Sequence, residues 1–505
     1  MADHVFKPET LAIHAGQIPD AATGARALPI YQTTSFVFDS AEHAAHLFNL
    51  QTFGNVYSRL SNPTVAALEE RVAALEGGRA AVACASGMAA ESTALLTLLQ
   101  AGDHLVAAGA LYGGSVTMLA VNLKKFGIET TFVDATKPEA FAAAMRPTTR
   151  AVFAETLGNP SLVVLDIAAI ADVAHAHGVP LVVDNTVPSP ALCTPIALGA
   201  DIVVHSATKY LAGHGTTLGG VIVEGGAFPW DNGKFPGMTE PSPGYHGVRF
   251  YETFGDFGFT MRCRMEGLRV HGAALAPMSA WLVLQGVETL PLRMERHCAN
   301  TLAVAKFLRN DPRVSFVNYP GLEDHPQHAL LARQMKGASG LLAFGVKGGE
   351  AAGVRFIEGA QFMSHLVNIG DTRTLVSHPA STTHRQLDPA QQRAAGVTPE
   401  MVRISVGLEH IDDILWDIDQ ALAKASVQRP APAKAPANAT GRSACRPRAA
   451  ARRAPAGSAG TAVRGGTRRW PRTRRRFRRG TDACSRRSGR PRGRRRRRRR
   501  PWGAA

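Results

Sequence analysis

Residues 205–220 read HSATKYLAGHGTTLGG, and they follow an apolar stretch, residues 201–204, that predicts a buried β-strand. The strand ends in a polar turn, and the turn delivers one lysine, Lys209, just ahead of a glycine-rich segment. Burying an ammonium group without a partner costs several kcal/mol, so a lysine at this point indicates that its amine is used. A lysine amine can form a Schiff base with a carbonyl compound.

Hydroxyl groups beside Lys209 and a carboxylate upstream of it extend this pattern. Ser206 and Thr208 lie three residues and one residue before the lysine and are suited to bind a phosphate. A lysine next to phosphate-binding hydroxyls predicts pyridoxal 5′-phosphate, whose aldehyde takes the amine. Asp184 ends another apolar strand, and an aspartate keeps the pyridine nitrogen of this cofactor protonated. Because open α/β sheets bind ligands beyond the carboxyl ends of their strands, we expect Asp184 and Lys209 to face one crevice.

Single residues of this set also have simpler interpretations. Asp184 alone could cap a following helix, and Lys209 alone could be a solvated loop residue. Both together, with the two hydroxyls, favour the cofactor site. His378 and His384 invite a metal interpretation, but suitably spaced carboxylate or cysteine ligands are missing from the sequence around them. We therefore expect structural histidines and no metal site.

Composition indicates a large globular protein. The chain has 505 residues, 45% of them hydrophobic, which is enough for a large core and more than one domain. No stretch reaches the roughly 18 uninterrupted apolar residues of a membrane-spanning helix, and the first ten residues contain no apolar signal region. We therefore expect a cytoplasmic protein. Six cysteines without a CxxC pair predict reduced thiols rather than disulfides or zinc ligands.

The formal net charge of +17 is distributed unevenly along the chain. Residues 426–505 hold 27 of the 57 lysines and arginines and one acid, Asp482, for a net charge of +26. The other 30 basic and 39 acidic residues give the first 425 residues a net charge of −9. Low hydrophobicity with one sign of charge predicts a disordered tail, which could bind nucleic acid non-specifically through phosphates. A GC-rich gene read past its stop codon or out of frame gives the same composition, and we favour that interpretation.

Strand and helix patterns predict the α/β fold class. From about residue 61 to 265 they alternate, which indicates a mostly parallel sheet with helices on both faces. A long helical span from residue 266 to about 310, followed by short strands and amphipathic helices, predicts a smaller C-terminal α+β domain over residues 266–425. Residues 1–60 form an N-terminal arm in this scheme. The expected strands of the first part are 103–107, 130–133, 151–155, 181–184, 202–205 and 220–223.

A series of further motifs runs through residues 5–425 in the same order as those of a known family. They include YSRLSNPT (57–64), SGMAA (86–90), LYGG (111–114), DNTVPSP (184–190), NIGDTRTLVSHPASTTH (368–384) and VRISVGLE (402–409). With residues 205–220, this set resembles the pyridoxal-phosphate enzymes of cysteine and methionine metabolism. Within them the chain is most similar to the O-acetylhomoserine sulfhydrylases. The resemblance implies a fold-type I pyridoxal-phosphate transferase whose arm contacts a neighbouring subunit.

The resemblance also implies a role for each motif residue. The catalytic residues would be Lys209, Tyr112, Asp184 and Tyr57, with Tyr112 stacked on the cofactor ring and Lys209 carrying protons. Asn159 would lie near the ring oxygen. Backbone N–H groups at a helix start make an anion site, and the phosphate would be bound by Gly87, Met88, Ser206, Thr208 and, from a neighbouring subunit, Tyr57 and Arg59.

Two further residues concern the substrate. Arg403 would bind the substrate α-carboxylate through both guanidinium arms, and an unpaired guanidinium is otherwise out of place on an apolar strand. Asn368 stands where lyases and cystathionine synthases usually carry serine, and it bears on which nucleophile is accepted. The implied reaction is γ-replacement on O-acetylhomoserine with sulfide or a thiol, giving homocysteine or methionine and acetate, in a homotetramer of catalytic dimers. A methionine or cystathionine γ-lyase, a cystathionine γ-synthase, and nucleic-acid binding through the tail are the alternatives.

Overall fold

A seven-stranded sheet forms the centre of the computed structural model, which describes residues 5–382, 385, 392 and 396–426. Its spatial order is β1-β7-β6-β5-β4-β2-β3. The pairs from β6 across to β3 are parallel, and β7 is antiparallel to both its neighbours, so the predicted mostly parallel sheet is confirmed. The strands are β1 (Ala80–Cys84), β2 (His104–Ala108), β3 (Glu129–Val133), β4 (Thr149–Glu155), β5 (Leu181–Asp184), β6 (Ile202–His205) and β7 (Gly220–Glu224).

Helices cover this sheet. Every residue of β2, β5, β6 and β7 is buried, as expected for strands with helices on both faces. The helices of the described chain are α1 (Pro8–His14), α2 (Ala41–Phe48), α3 (Pro63–Glu76), α4 (Gly87–Leu98), α5 (Gly113–Thr117), α6 (Leu123–Lys125), α7 (Pro138–Ala144), α8 (Ile167–Ala176), α9 (Ser189–Leu192), α10 (Pro236–Thr239), α11 (Phe250–Phe254), α12 (Gly258–Arg262), α13 (Arg269–His271), α14 (Pro277–Glu288), α15 (Leu290–Arg309), α16 (His328–Gln334), α17 (Gly349–Gly359) and α18 (Ile411–Ser426). Of these, α3 packs on β1 and β7, α4 on β6 and β7, and α8 on β5.

The parallel register brings the carboxyl ends of β4, β5 and β6 to one edge of the sheet. Glu155 at the end of β4 pairs with Asp184 at the end of β5, and Asp184 pairs with Val204 of β6. The turn after β6 then carries Lys209 to the same edge. As expected from the sequence, Asp184 and Lys209 face one crevice.

A buried arginine fixes the turn that carries Lys209. The Arg293 guanidinium on α15 donates to the backbone carbonyls of Tyr210 at 2.8 Å, Leu211 at 3.3 Å and Gly286 at 2.6 Å. Gly213, with a φ of +72°, lies so close that a Cβ there would come within 2.1 Å of the guanidinium. Only glycine tolerates both the positive φ and this approach. The chain after Lys209 is therefore tied to α14 and α15.

A second, smaller sheet lies towards the carboxyl end of the described chain. Its strands are β8 (Val314–Asn318), β9 (Leu341–Val346), β10 (Ser364–His365), β11 (Leu375–Ser377) and β12 (Met401–Ser405), in the order β10-β11-β12-β9-β8. All pairs except β10 with β11 are antiparallel, and α15 and α17 pack on it. This is the α+β character expected there. The described residues all fall in one compact unit, Met1–Ala431, so the boundary at residue 265 stays a prediction.

The long helical span expected from residue 266 to about 310 is interrupted. α13 ends at His271, where Gly272 adopts a φ of +75°, and α14 begins only at Pro277. Glycine takes a positive φ at little cost, and proline has no N–H to continue a preceding helix. The chain therefore breaks between these two residues, and α14 and α15 follow as separate helices on either side of Thr289.

Two other expectations concern membranes and the tail. Within the described ranges, none of the helices combines the length and apolarity needed to cross a bilayer. The predicted disorder of residues 426–505 lies, apart from Ser426 at the end of α18, outside the described residues.

The described cysteines Cys84, Cys193, Cys263 and Cys298 are free thiols, and burial raises the pKa of each above its ordinary value.

Asp417 on α18 is expected to stabilise the second sheet region. It is fully buried, and its carboxylate accepts the backbone N–H groups of Gln361 at 2.7 Å, Phe362 at 3.1 Å and Met363 at 3.0 Å. Hydrogen bonds to charged groups are strong, and a buried N–H group left without an acceptor is costly. Asp417→Ala should therefore lower the free energy of unfolding by about 3 kcal/mol. Denaturant titration measures this. Asp412→Ala on the same helix, where the side chain is 82% exposed, is the control and should change little.

Candidate active site

A cavity of about 180 Å³ lies beyond the carboxyl ends of β4, β5 and β6. The start of α4 and the turn after β6 form one side of it, and residues 367–369 with β12 form the other. Ten of the residues that the sequence predicted for the site line this cavity: Gly87, Met88, Tyr112, Asn159, Asp184, Ser206, Thr208, Lys209, Asn368 and Arg403. The structure thus brings together side chains that lie more than 300 positions apart in the sequence.

Lys209 presents its amine to this cavity from the turn after β6. The turn closes through a hydrogen bond from the Lys209 N–H to the Ser206 carbonyl at 3.2 Å. The Nζ atom donates to Asn368 Oδ1 at 2.5 Å. Burial, and after it the positive charge of Arg403, lowers the pKa of Lys209 to about 8. Near neutral pH a larger share of this amine is uncharged than in an exposed lysine.

Arg403 reaches the cavity from β12. Its Nη1 donates to Asn159 Oδ1 at 3.0 Å and its Nη2 to the Asn368 carbonyl at 3.1 Å. Burial lowers the pKa of Arg403 to about 10, so the guanidinium still carries its charge at neutral pH. Within the described part of the chain its Nε has no hydrogen-bond partner and no carboxylate pairs with it. A buried cation held only by amide oxygens is suited to bind an anionic group.

Asp184 ends β5 at the floor of the cavity. Its Oδ1 accepts the Thr186 N–H at 2.7 Å, which orients the carboxyl group. Burial raises the pKa of Asp184, while the hydrogen bonds from Thr186 and the charge of His205 act in the opposite direction. The simpler interpretation, a helix cap, does not fit, because α9 begins only at Ser189.

Small residues line the cavity at the start of α4. Ser86 caps this helix by accepting the Ala89 N–H at 3.1 Å, and the N–H groups of Gly87 and Met88 precede it. A Cβ on Gly87 would come within 2.6 Å of Ser206, so only glycine fits there. The first N–H groups of a helix have no intrahelical acceptor and favour an anion.

The Thr208 hydroxyl and the Tyr112 ring, both predicted for the site, each contact a neighbouring glycine. The Thr208 hydroxyl bonds Gly219, donating to its carbonyl at 3.2 Å and accepting its N–H at 3.0 Å, so it also holds the glycine-rich segment. The Tyr112 ring lies over Gly114, where a Cβ would approach it to 2.4 Å. Tyr112 is 42% exposed and lines the cavity, so its ring is accessible to a planar group.

Tyr57 and Arg59 are not among the described residues that line the cavity. The Arg59 guanidinium lies 5.5 Å from the centre of the Tyr57 ring and donates to the backbone carbonyl of Arg269. Tyr57 is 41% exposed. That Tyr57 and Arg59 bind the cofactor phosphate of a neighbouring subunit stays a prediction.

Sequence reasoning missed two carboxyl groups in the cavity, Glu91 on α4 and Glu155 at the end of β4. Glu155 accepts the N–H groups of Tyr112 at 2.5 Å and Asn159 at 3.2 Å. Burial raises the pKa of both glutamates, and the nearby Asp184 charge adds to this. The position of Glu155 at a strand end, next to the end of β5, was a signal that could have identified it.

The metal interpretation gains no support from the described residues, which hold no cluster of metal-ligating side chains. His378 bonds Ser381 Oγ at 2.9 Å through Nδ1 and the Pro399 carbonyl at 2.7 Å through Nε2. Both ring nitrogens are thus occupied, as in a structural histidine. His384 lies outside the described residues.

The lining residues fit one cofactor. A partly neutral amine, an anion cradle at a helix start that a single Cβ would fill, an aromatic face and a buried carboxylate match the aldehyde, phosphate, ring and pyridine nitrogen of pyridoxal 5′-phosphate. Fold and site together define a pyridoxal-phosphate-dependent enzyme. The chain belongs to the pyridoxal-phosphate-dependent enzymes of cysteine and methionine metabolism, whose family model matches residues 9–423.

Known relatives agree with this assignment. The chain is 54% identical over 427 residues to an O-acetyl-L-homoserine sulfhydrylase of Leptospira meyeri, covering 83% of this chain and 97% of the relative. It is 53% identical over 418 residues to O-acetyl-L-homoserine sulfhydrylase 1 of Thermus thermophilus, covering 82% and 99%.

A solved structure agrees in fold. A Campylobacter jejuni protein assigned as an O-acetylhomoserine (thiol)-lyase matches with a TM-score of 0.81 and 39% identity, over 83% of this chain and all of that one. Its crystal structure contains N′-pyridoxyl-lysine-5′-monophosphate. The predicted fold-type I class and the predicted cofactor are confirmed.

The Lys209 amine should lose its proton at an unusually low pH. In protein stripped of cofactor, the rate at which a neutral amine-reactive reagent labels Lys209 should reach half its maximum near pH 8. Arg403→Met removes a neighbouring positive charge and should move this midpoint upwards, although burial still holds it below that of an exposed lysine. Mass spectrometry of digests across a pH series measures both midpoints. Coinciding midpoints would show that Arg403 does not act on Lys209.

Proposed function

We propose that this protein catalyses γ-replacement on O-acetylhomoserine with sulfide, forming homocysteine and releasing acetate. The named activities of relatives at 53–54% identity over more than four fifths of the chain support the substrate and the sulfur donor. The aspartate, lysine and arginine of the cavity support the chemistry. A thiol such as methanethiol in place of sulfide would give methionine by the same route.

The observation that carries the proposal is the placement of Lys209 and Arg403 on either side of Asn368. The Asn368 side chain accepts from Lys209 Nζ at 2.5 Å, and its backbone carbonyl accepts from Arg403 at 3.1 Å. Arg403 would bind the α-carboxylate of an amino-acid substrate through both nitrogen arms. With the carboxylate bound to Arg403, Cα and Cβ of the substrate would lie beside the Lys209 amine. Asn368 thus sets the separation between the Arg403 guanidinium, which would bind the carboxylate, and the Lys209 amine, which would act as the base.

The chain's own groups account for the proton movements. The Lys209 amine, neutral in part because of its lowered pKa, would take the proton from Cα, pass it to the bound cofactor and so become neutral again, and then take a proton from Cβ, so that the γ-acetoxy group can leave as acetate. Bound pyridoxal phosphate supplies the electron-withdrawing ring that makes these protons acidic. Asp184 would hold the ring nitrogen protonated, and Tyr112 would cover one face of the ring and exclude water.

We extend the proposal to a catalytic homodimer, paired into a cytoplasmic homotetramer. A phosphate in the cavity would otherwise lack the arginine that the family pattern assigns to it, because Arg59 lies outside the cavity of its own chain. Residues 1–60 also leave many large apolar side chains exposed, among them Val5, Phe6, Val37, Phe38, Phe48 and Phe53. Exposed apolar side chains in such number are typical of an interface.

A substrate panel tests the reaction. Purified full-length enzyme should form homocysteine from O-acetylhomoserine only when sulfide is added, and Lys209→Ala should abolish this because it removes the amine proposed to take the Cα proton. O-succinylhomoserine, methionine and cystathionine should react poorly, with and without sulfide. Product formation followed by mass spectrometry decides between the alternatives. Cleavage of methionine or cystathionine as the main reaction would instead show a γ-lyase.

Mixing two inactive variants tests the dimer. Under this proposal each site takes Lys209 from one subunit and Arg59 from the other. A mixed dimer of Arg59→Ala and Lys209→Ala therefore has one intact site out of two. Because half of the randomly formed dimers are mixed, roughly a quarter of the wild-type sites should be restored. Lys209→Ala mixed with Arg403→Ala is the control, since both residues line the cavity of a single chain and no intact site can form. Native mass spectrometry verifies that mixed dimers are present. If they are present and remain inactive, Arg59 does not serve the neighbouring subunit.

A further inference from the structure

Glu91 is a buried carboxyl group in the cavity to which the proposed function gives no role. It lies on α4 four residues after Gly87, and only 4% of it is exposed. Most of the other residues on this helix are small or apolar. A glutamate placed there loses its hydration, which is costly unless the group is hydrogen-bonded or neutral. Its position against the cavity therefore requires an explanation.

The two oxygens of Glu91 have different surroundings. Oε1 accepts a hydrogen bond from the Ser115 hydroxyl at 3.1 Å. Oε2 is completely buried, and within the described part of the chain no N–H or O–H group donates to it. Glu91 and Asp184 line the same cavity, and a hydrogen bond between their carboxyl groups contributes to the pKa shifts of both. Because ionised carboxylates only accept hydrogen bonds, this contact is favourable only if one of the two groups carries a proton.

The groups around the pair decide which carboxyl group is protonated. Asp184 accepts the Thr186 N–H at 2.7 Å and lies near His205, and both contacts favour its ionised form. Glu91 has only the Ser115 hydroxyl, and it shares the cavity with the further carboxyl group of Glu155. Burial followed by the charge of Asp184 raises the pKa of Glu91. The shared proton therefore resides on Glu91.

We propose that Glu91 is a positioning residue, whose neutral carboxyl group donates a hydrogen bond to Asp184 and holds that aspartate as the acceptor for the ring nitrogen of pyridoxal phosphate. The Thr186 N–H on one side and Glu91 on the other then leave Asp184 one orientation towards the cavity. The pair carries a single negative charge, which matches the single positive charge of a protonated pyridine. This inference rests on the role of Asp184 under the proposed function, but not on the identity of the substrate.

Two substitutions separate a hydrogen-bonding role from a space-filling one. In Glu91→Gln, the amide oxygen can still accept from Ser115 and the amide N–H can still donate to Asp184, so the variant imitates the neutral glutamate. In Glu91→Met, the side chain has similar length but donates nothing. If Glu91 were ionised in the native enzyme, the glutamine variant would instead remove a negative charge from the site.

The test measures cofactor affinity without any substrate. Full-length protein, dialysed to remove its cofactor, is titrated with pyridoxal phosphate while tryptophan fluorescence reports binding. We expect Glu91→Gln to bind within about threefold of wild type and Glu91→Met to bind at least about tenfold more weakly, as loss of a hydrogen bond to a charged group implies. The visible absorption maximum of the bound cofactor should be unchanged in the glutamine variant and displaced in the methionine variant.

A control and two contrary outcomes complete the design. Glu224→Gln, at a buried glutamate on β7 that bonds Phe259 and Thr260 and does not line the cavity, should leave cofactor affinity unchanged. Wild-type affinity in Glu91→Met, or a loss in Glu91→Gln as large as in Glu91→Met, would overturn the proposal. Should the methionine variant fail to fold, the nearly isosteric glutamine variant decides alone, and a tenfold loss in it is contrary. Because no substrate is present, failure of the sulfhydrylase reaction would not affect this result.

Discussion

The parallel register of β4, β5 and β6 is the constraint on which the rest of the site depends. Side chains alternate between the two faces of a strand, so a slip of one residue would turn Asp184 away from the cavity. Backbone bonds continue this register past the strand ends: the Thr156 N–H donates to the Asp184 carbonyl at 3.0 Å, and the Asn185 N–H donates to the Val204 carbonyl at 3.0 Å. The backbone ladder thus sets the position of Asp184 without help from its side-chain contacts.

The second sheet completes a site that the first sheet only begins. Arg403 on β12 and Asn368 approach the turn of Lys209 from the opposite wall of the cavity. Arg293 holds that turn from α15 through three backbone carbonyls, so the lysine has a rigid base. Packing between distant parts of the chain therefore controls the electrostatics of the cavity. It supplies both the burial and the neighbouring charge that make the Lys209 amine easier to deprotonate.

Much of the fold could be predicted from the sequence, because the strands at the centre of the first sheet are short, mostly apolar and buried. β5 and β6 lie at residues 181–184 and 202–205, as predicted, and Asp184 and Lys209 were recognisable as polar residues at strand ends. Other features depend on spatial contacts that periodicity does not encode. Glu91 in a helix of small residues has the pattern of an ordinary solvated position, and only its contact with Asp184 distinguishes it. The break at Gly272 was missed because a single glycine inside a helical pattern is often tolerated.

The buried cations of the cavity have a consequence for how long the protein survives in a cell. Lys209 and Arg403 lie together in a buried cavity, and in the described residues neither forms an ion pair. A molecule that brings anionic groups to them binds the folded chain and not the unfolded one. At 100 times its dissociation constant, such a ligand adds about 2.7 kcal/mol to stability. A chain that has not yet bound pyridoxal phosphate would therefore open, and be exposed to proteases, more often than one that has.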